Sequence, residues 1–354
     1  MDHIKQIAAK LAEYKLDAML VSSEPGEFYT VGLHGEGFAV VAPGKCRYIT
    51  DSRYIEVANE QVAGAEVVMV DGGRNYAARI NEFLDAEGIG TLGVEDGYMS
   101  LAQYTSLKKA LHGALVPAND LITGLRASKD AEELERMKQA QDITDRAFDE
   151  ICKFIRPGMT EQEIAAKLVY DMLRFGAEKM SFDPIVASGP NGSRPHAIPG
   201  EKKVQTGEFI TMDFGCKYRG YCSDMTRTVA LGEPTDDMKK VYDTVARAQL
   251  AGIAASRAGV PGKDIHAAAA KVIQDAGYGR FFGHGYGHSV GVEIHESPNA
   301  SPSNPKPMPV GAMVSAEPGI YIPGQFGVRI EDVVRMEEGG CLDITHSPKQ
   351  LIVL

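Results

Sequence analysis

GEFITMDFGCKYRGYCSDMTRTVALG, residues 207–232, reads as a β-hairpin that places carboxylates where a sheet tolerates them least. Its arms, 209–215 and 221–230, are rich in Ile, Thr, Phe, Tyr and Val and join across Lys217, Tyr218, Arg219 and Gly220. Pairing Lys217 with Gly220 sets Gly215 against Cys222 and Asp213 against Asp224. Directly opposed side chains of an antiparallel pair lie about 5 Å apart at Cβ, and like charges there destabilise the sheet unless something between them compensates. A divalent cation is the obvious compensator. The figure recurs in SAEPGIYIPGQFGVRIED, residues 315–332, where pairing Tyr321 with Gly327 puts Glu317 opposite Glu331. One acidic hairpin is compatible with solvated strand charges. Two of them, pointing four carboxylates inward, form a pattern for a metal site.

The bulk numbers narrow the classes. A chain of 354 residues is long for one core, so two domains are expected. The net charge of -11, with no lysine or arginine run, argues against nucleic acid or an anionic membrane as the main partner. The cysteines Cys46, Cys152, Cys216, Cys222 and Cys341 are odd in number and lack a C-x-x-C spacing, which suits a reducing cytoplasm better than a disulfide framework. The opening MDHIKQIAAKLAEYK is a charged amphipathic helix without an apolar core, and no run approaches about 18 apolar residues, so neither classical export nor a membrane span is expected.

Along the chain, residues 1–124 alternate helical and extended patterns and read as a small α/β domain, with Pro117, Asn119, Asp120 and Gly124 marking a connection. Residues 125–354 begin with a helix capped by Asp130 and Glu133 and a second capped by Thr160 and Glu163. Helix pair and acidic hairpin then occur twice, which suggests a pseudo-symmetric α+β domain. Between the hairpins lies GHGYGHSVGVEIHE, whose glycines disfavour a helix. A loop running into a strand fits better, with Val290, Val292 and Ile294 on one face.

Asp213, Asp224, His288, Glu317 and Glu331 are the candidate ligands. Four hard oxygens and one imidazole, with no thiolate, suit Mn or another hard-to-borderline divalent ion better than a structural zinc. Four negative charges would hold two such ions, and a pair about 3.5–4 Å apart can activate a shared water for hydrolysis.

The segments SGPNGSRPH, MDFG, GYCSDMTRT, HGYGHSVGVEIHE, EPGIYIPG and GVRIED, in that order and spacing, resemble the pita-bread metallopeptidase family (M24), in its branch of aminopeptidase P and prolidase. The likeness extends over ITDSRYIEVANEQV in the amino-terminal domain and LRASKDAEELERM after it. It implies an amino-terminal creatinase-like α/β domain followed by a pita-bread catalytic domain. It implies that Asp213 chelates one metal, that His288 and Glu317 bind the other, and that Asp224 and Glu331 bridge them. Glu317 would also be the general base. His284 and His295 would steady the tetrahedral intermediate and pass a proton to the proline nitrogen, His196 would border the proline pocket, and Tyr321 and Arg329 would orient carboxylates and substrate. The implied substrates are small peptides with proline second, the implied cofactors two divalent ions, Mn first with Co or Zn as alternatives, and the expected assembly a homodimer.

The resemblance leaves alternatives. Prolidase is one, but HESPNASPSNPK, residues 295–306, offers Asn299 where some short prolidases carry an arginine for the substrate carboxylate. A non-catalytic peptide-binding module on this fold is expected to lack metal ligands, and here all five positions are filled. Creatinase-type chemistry does not need the carboxylates, and a methionine aminopeptidase does not need the first 120 or so residues.

Overall fold

The computed structural model describes residues 2–73 and 75–354. These fall into two compact units, 1–126 and 127–354.

In the first unit six strands form one sheet in the spatial order Glu66–Met69, Lys45–Thr50, Phe38–Ala42, Ala18–Val21, Thr91–Val94, Ala114–Pro117. Strand Ala18–Val21 shows why both faces are covered: Ala18 and Leu20 pack into one apolar cluster with Ile80, Phe83 and Leu92, while Met19 and Val21 pack into another with Ile7, Leu11 and Tyr29. Period-two alternation with no polar face demands helices on both sides. Two sequence readings change here. Residues around Asn119, expected to be a loop, form the helix Asn119–Arg126, whose Leu121 and Ile122 are buried. SEPGEFYTV forms a helix, Glu24–Val31, that the sequence reading missed; Ser23 caps it through Gly26 N–H, and Pro25 falls where helices admit proline.

The second unit opens with helices Ala131–Phe154 and Glu161–Arg174, each closed at its amino end by the expected capping box. They pack with strands Met225–Leu231, Glu208–Phe214 and Ile185–Ser188, which form one sheet in that order. Helices Asp236–Ala255 and Gly262–Asp275 follow. They share a second core with a five-stranded sheet ordered Glu296–Ala300, Gly287–Ser289, Met313–Ala316, Asp332–Met336, Cys341–Asp343. Helix pair and sheet are thus repeated.

The first hairpin has a different register from the one expected. Tyr218 pairs with Tyr221 and Lys217 with Cys222, so the turn is only Arg219–Gly220, with φ of 47° and 78°. Both central residues are left-handed, as a primed two-residue turn requires. Farther along, Asp213 pairs with Thr226, not with Asp224. Asp224 instead lies beside Gly215, where a Cβ would come within 2.1 Å of Ser223 O. The second hairpin keeps its expected register: Tyr321 pairs with Gly327 and Ala316 with Asp332, which brackets Glu317 opposite Glu331. The strand expected through Val290 and Ile294 is absent. The chain leaves strand Gly287–Ser289, turns through 291–295 and returns as Glu296–Ala300, with a register shift between His288 and Ser289.

Candidate metal centre

The two hairpins and the glycine-rich segment between them surround a cavity of about 520 Å³ in the second unit. Asp213, Asp224, His288, Glu317 and Glu331 line it, and so do His196, His284, His295, Tyr321 and Arg329. Every residue singled out in the sequence is therefore brought to one cavity. Asp224 and Glu331 are buried, His284, His288 and Glu317 half-buried, and His196 and His295 lie at the exposed side.

Asp224, His288 and Glu331 can offer ligand atoms that all lie within 4.8 Å of one another. His288 Nδ1 is 3.2 Å from Ser289 O, a carbonyl that can only accept, so Nδ1 carries the ring proton. Nε2 therefore points a lone pair at Glu317 Oε1, 3.3 Å away, and Asp224 Oδ2, 3.6 Å away. Acceptors that face one another need a proton or a cation between them. A second ring proton is disfavoured, because burial pushes the His288 pKa down. The carboxyls tell the same story. Burial and then the neighbouring carboxylates, Glu331 foremost, push Asp224 well above its ordinary pKa; burial and then Glu317 and Asp213 do so for Glu331; burial raises Glu317. Asp213 Oδ1 is buried with no hydrogen-bond partner. Four carboxyls and an imidazole so placed need positive charge between them, protons or metal ions, and this oxygen-rich donor set fits divalent cations.

Other side chains fix the donors. Arg329 is buried and fully engaged: Nη2 donates to Asp213 Oδ2 at 2.6 Å, Nε to Thr226 Oγ1 at 3.0 Å and Nη1 to Tyr321 Oη at 2.8 Å. Thr226 in turn donates to Glu331 Oε2 at 2.7 Å. Ser315 donates to Glu317 Oε1 and accepts from His288 N–H, both at 3.0 Å. His284 Nδ1 donates to Gly285 O at 2.8 Å, which leaves Nε2 to accept from Tyr321 O–H at 3.1 Å, and burial lowers its pKa. The His295 ring stands edge-on to His288, centroids 4.4 Å apart. Behind Glu331, the buried Arg227 donates to Glu331 O and Thr226 O and pairs with Asp332 at 2.7 Å.

Thr226 and Ser315 escaped the sequence reading although a signal was there. Each lies two residues from a ligand, Asp224 or Glu317, and the period of a strand puts such neighbours on one face. Phe182, Asp183 and Ile185 also line the cavity without any motif to announce them. Ile185 is carried there by its pairing with Asp213.

The model of the metallopeptidase family M24 matches residues 135–338, and that of the creatinase/prolidase N-terminal domain matches residues 3–128. Peptidase YqhT of Bacillus subtilis is 41% identical over 341 residues, 96% of each chain. Among solved structures, an Xaa-Pro dipeptidase from Bacillus anthracis superposes with a TM-score of 0.95 at 39% identity, covering 99% of both chains. An X-Pro aminopeptidase from Thermotoga maritima does so at 0.91 and 37%, covering 96% of this chain and 98% of its own. With the ligand geometry and the matching fold together, the chain belongs to the metallopeptidase family M24, with an amino-terminal domain of the creatinase/prolidase type.

Proposed function

We propose that this enzyme is a dinuclear-metal exopeptidase that removes an N-terminal residue preceding proline, with a preference for peptides longer than two residues. The observation that carries the reading is the crowding of donors in one cavity: His288 Nε2 lies 3.3 Å from Glu317 Oε1 and 3.6 Å from Asp224 Oδ2, within ligand reach of Glu331 and beside the unpartnered Asp213 Oδ1. Asp213 would hold one ion, His288 and Glu317 the other, and Asp224 and Glu331 both. Divalent ions bound there, Mn first with Co or Zn as alternatives, would make a shared water acidic and polarise the scissile carbonyl.

The side chains supply the rest. Glu317, its carboxylate oriented by Ser315 Oγ at 3.0 Å, takes the proton of the attacking water. The proton that Glu317 takes from the water is the one that must reach the proline nitrogen; His284, once its Nε2 takes it up from its place beside Tyr321, and His295 at the open side would stabilise the developing oxyanion and deliver it. A tertiary amide has no N–H to give, so that nitrogen leaves only if it is protonated. His196 borders the wall that receives the proline ring. Cytoplasmic action as a homodimer, with residues 1–124 and 125–354 as its domains, completes the proposal.

Length preference follows from charge. Among the described residues the cavity lining contains one arginine, Arg329, and all of its nitrogens are engaged. The wall beyond His295 presents neutral Asn299 and Ser301 instead. A dipeptide would set its carboxylate there without a cation; a longer chain sets an amide there. A dipeptidase reading draws support from relatives of that name, such as the protein from Bacillus anthracis. Comparing kcat/KM on Xaa-Pro and Xaa-Pro-Yaa with Mn²⁺ separates the two. The tripeptide is expected to be the better substrate, and turnover of peptides lacking proline at position two would defeat both readings.

A further inference from the structure

His295 sits on a turn whose fixation leads away from the cavity. Residues 291–295 form no strand, yet their backbone is held at several points. Cys222 N–H donates to Gly291 O at 2.8 Å, and Cys222 Sγ lies 3.6 Å from Val292 O. Glu296, next to His295, closes the turn on itself by accepting Glu293 N–H at 3.1 Å. Its carboxylate is packed so tightly beneath the turn that a Cβ on Gly291 would come within 2.5 Å of Glu296 Oε2. That carboxylate is buried, its side chain 4% exposed, and it pairs at 2.9 Å with Lys129 Nζ, itself 1% exposed. Lys129 is anchored in turn, because its N–H donates to Gly311 O at 3.0 Å.

A carboxylate that is 4% exposed and loses an ammonium 2.9 Å away gains a drive to take up a proton or to shift, and either changes the present geometry. We infer that Lys129 is a positioning residue for the reaction: through Glu296 it fixes the 291–295 turn and thereby the place of the His295 ring. The inference rests on the role given to His295 above. Lys129 touches neither the candidate ligands nor the cavity, so its effect belongs to the rate of the chemical step and not to substrate affinity or metal content.

The test is a double-mutant cycle on the Mn²⁺-loaded enzyme with an Xaa-Pro-Yaa peptide. Lys129→Met is expected to lower kcat about 10- to 100-fold, the scale of a reacting group displaced by about 1 Å, with KM changed less than about three-fold. In a His295→Ala background the same substitution is expected to change kcat less than about two-fold, since residues that act through one another are not additive. A merely structural role would lower the melting temperature and reduce both backgrounds equally. Lys129→Met with Glu296→Gln guards against a single variant that does not fold: both partners are then neutral, and the Gln carbonyl can still accept Glu293 N–H. This pair is expected to recover most of kcat. Full turnover in Lys129→Met, or additive losses in the cycle, would overturn the inference alone. Full turnover in His295→Ala would overturn the role of His295 and the inference with it.

Discussion

Asp224 and Glu331 differ from the histidines around them in what their loss should do. A neutral amide cannot bridge two cations, so Asp224→Asn and Glu331→Gln are each expected to abolish turnover and release metal, measured by elemental analysis after gel filtration. His284 bonds Tyr321 and Gly285, and His284→Ala is expected to keep its metal while kcat falls by roughly 10² to 10⁴, the range for a lost proton-transfer group. Equal metal loss in all three would refute the assignment. The carboxyls also predict a pH trend for the protein held in chelator. Asp224, Glu317 and Glu331 are raised above their ordinary values of 3.8 and 4.5, so over that interval the folded chain binds more protons than the unfolded one. Their contribution is greatest below the unfolded values and is lost as pH rises through the folded ones. The lowered His284, His288 and His295 contribute the opposite slope near 6.5, so the carboxyl contribution is read by difference: melting temperature in chelator is expected to fall more steeply with rising pH in wild type than in Glu331→Gln, and Mn²⁺ to flatten the wild-type trend. A wild type whose melting temperature in chelator falls no more steeply with pH than that of Glu331→Gln would contradict this reading of the site.

The elements show which kinds of information a strand carries openly. Glu317 and Glu331 were legible as a facing pair because the ladders on either side share one register, from Ile322 and Phe326 through to Met313 and Arg335. Asp213 and Asp224 were legible as candidates for one cavity but not in their register. The register depends on Arg219 adopting φ of 47°, a conformation that an Arg-Gly pair advertises less plainly than Asn-Gly. The turn at 291–295 was hidden for another reason: the alternation of Val290, Val292 and Ile294 imitates a strand, and what breaks it is the Glu296 carboxylate lying against Gly291, a contact distant from any local propensity. Gly215 now acquires a meaning that the motif alone did not supply. Gly215→Ala would drive a methyl into Ser223 O and displace the neighbouring Asp224, and is expected to cost about 1–3 kcal/mol in urea unfolding and to weaken Mn²⁺ binding. Wild-type metal affinity in that variant would show that Asp224 tolerates the shift.

At the scale of the molecule, two units were legible in the change of pattern after residue 120, whereas the helix Asn119–Arg126 was not, because its apolar side is spread over a helix with a glycine inside it. Limited proteolysis is accordingly expected to cut near Ala127 and Ser128, where the chain is non-helical, and to spare Ala114–Pro117 and the helix after it. Cleavage spread evenly over 116–128 would contradict that boundary. The four candidate carboxylates belong to two hairpins distant in sequence, and Arg227 holds both, donating to Thr226 O on one and, 104 residues away, to Glu331 O on the other. Closing so long a loop has an entropic cost, and gathering four carboxyls at its ends adds to it. An ion offsets it, by binding the folded chain and not the unfolded one. Supply of metal therefore governs more than turnover. Metal scarcity is expected to open the chain to proteases as well as to silence it, seen as faster proteolysis in chelator than with Mn²⁺.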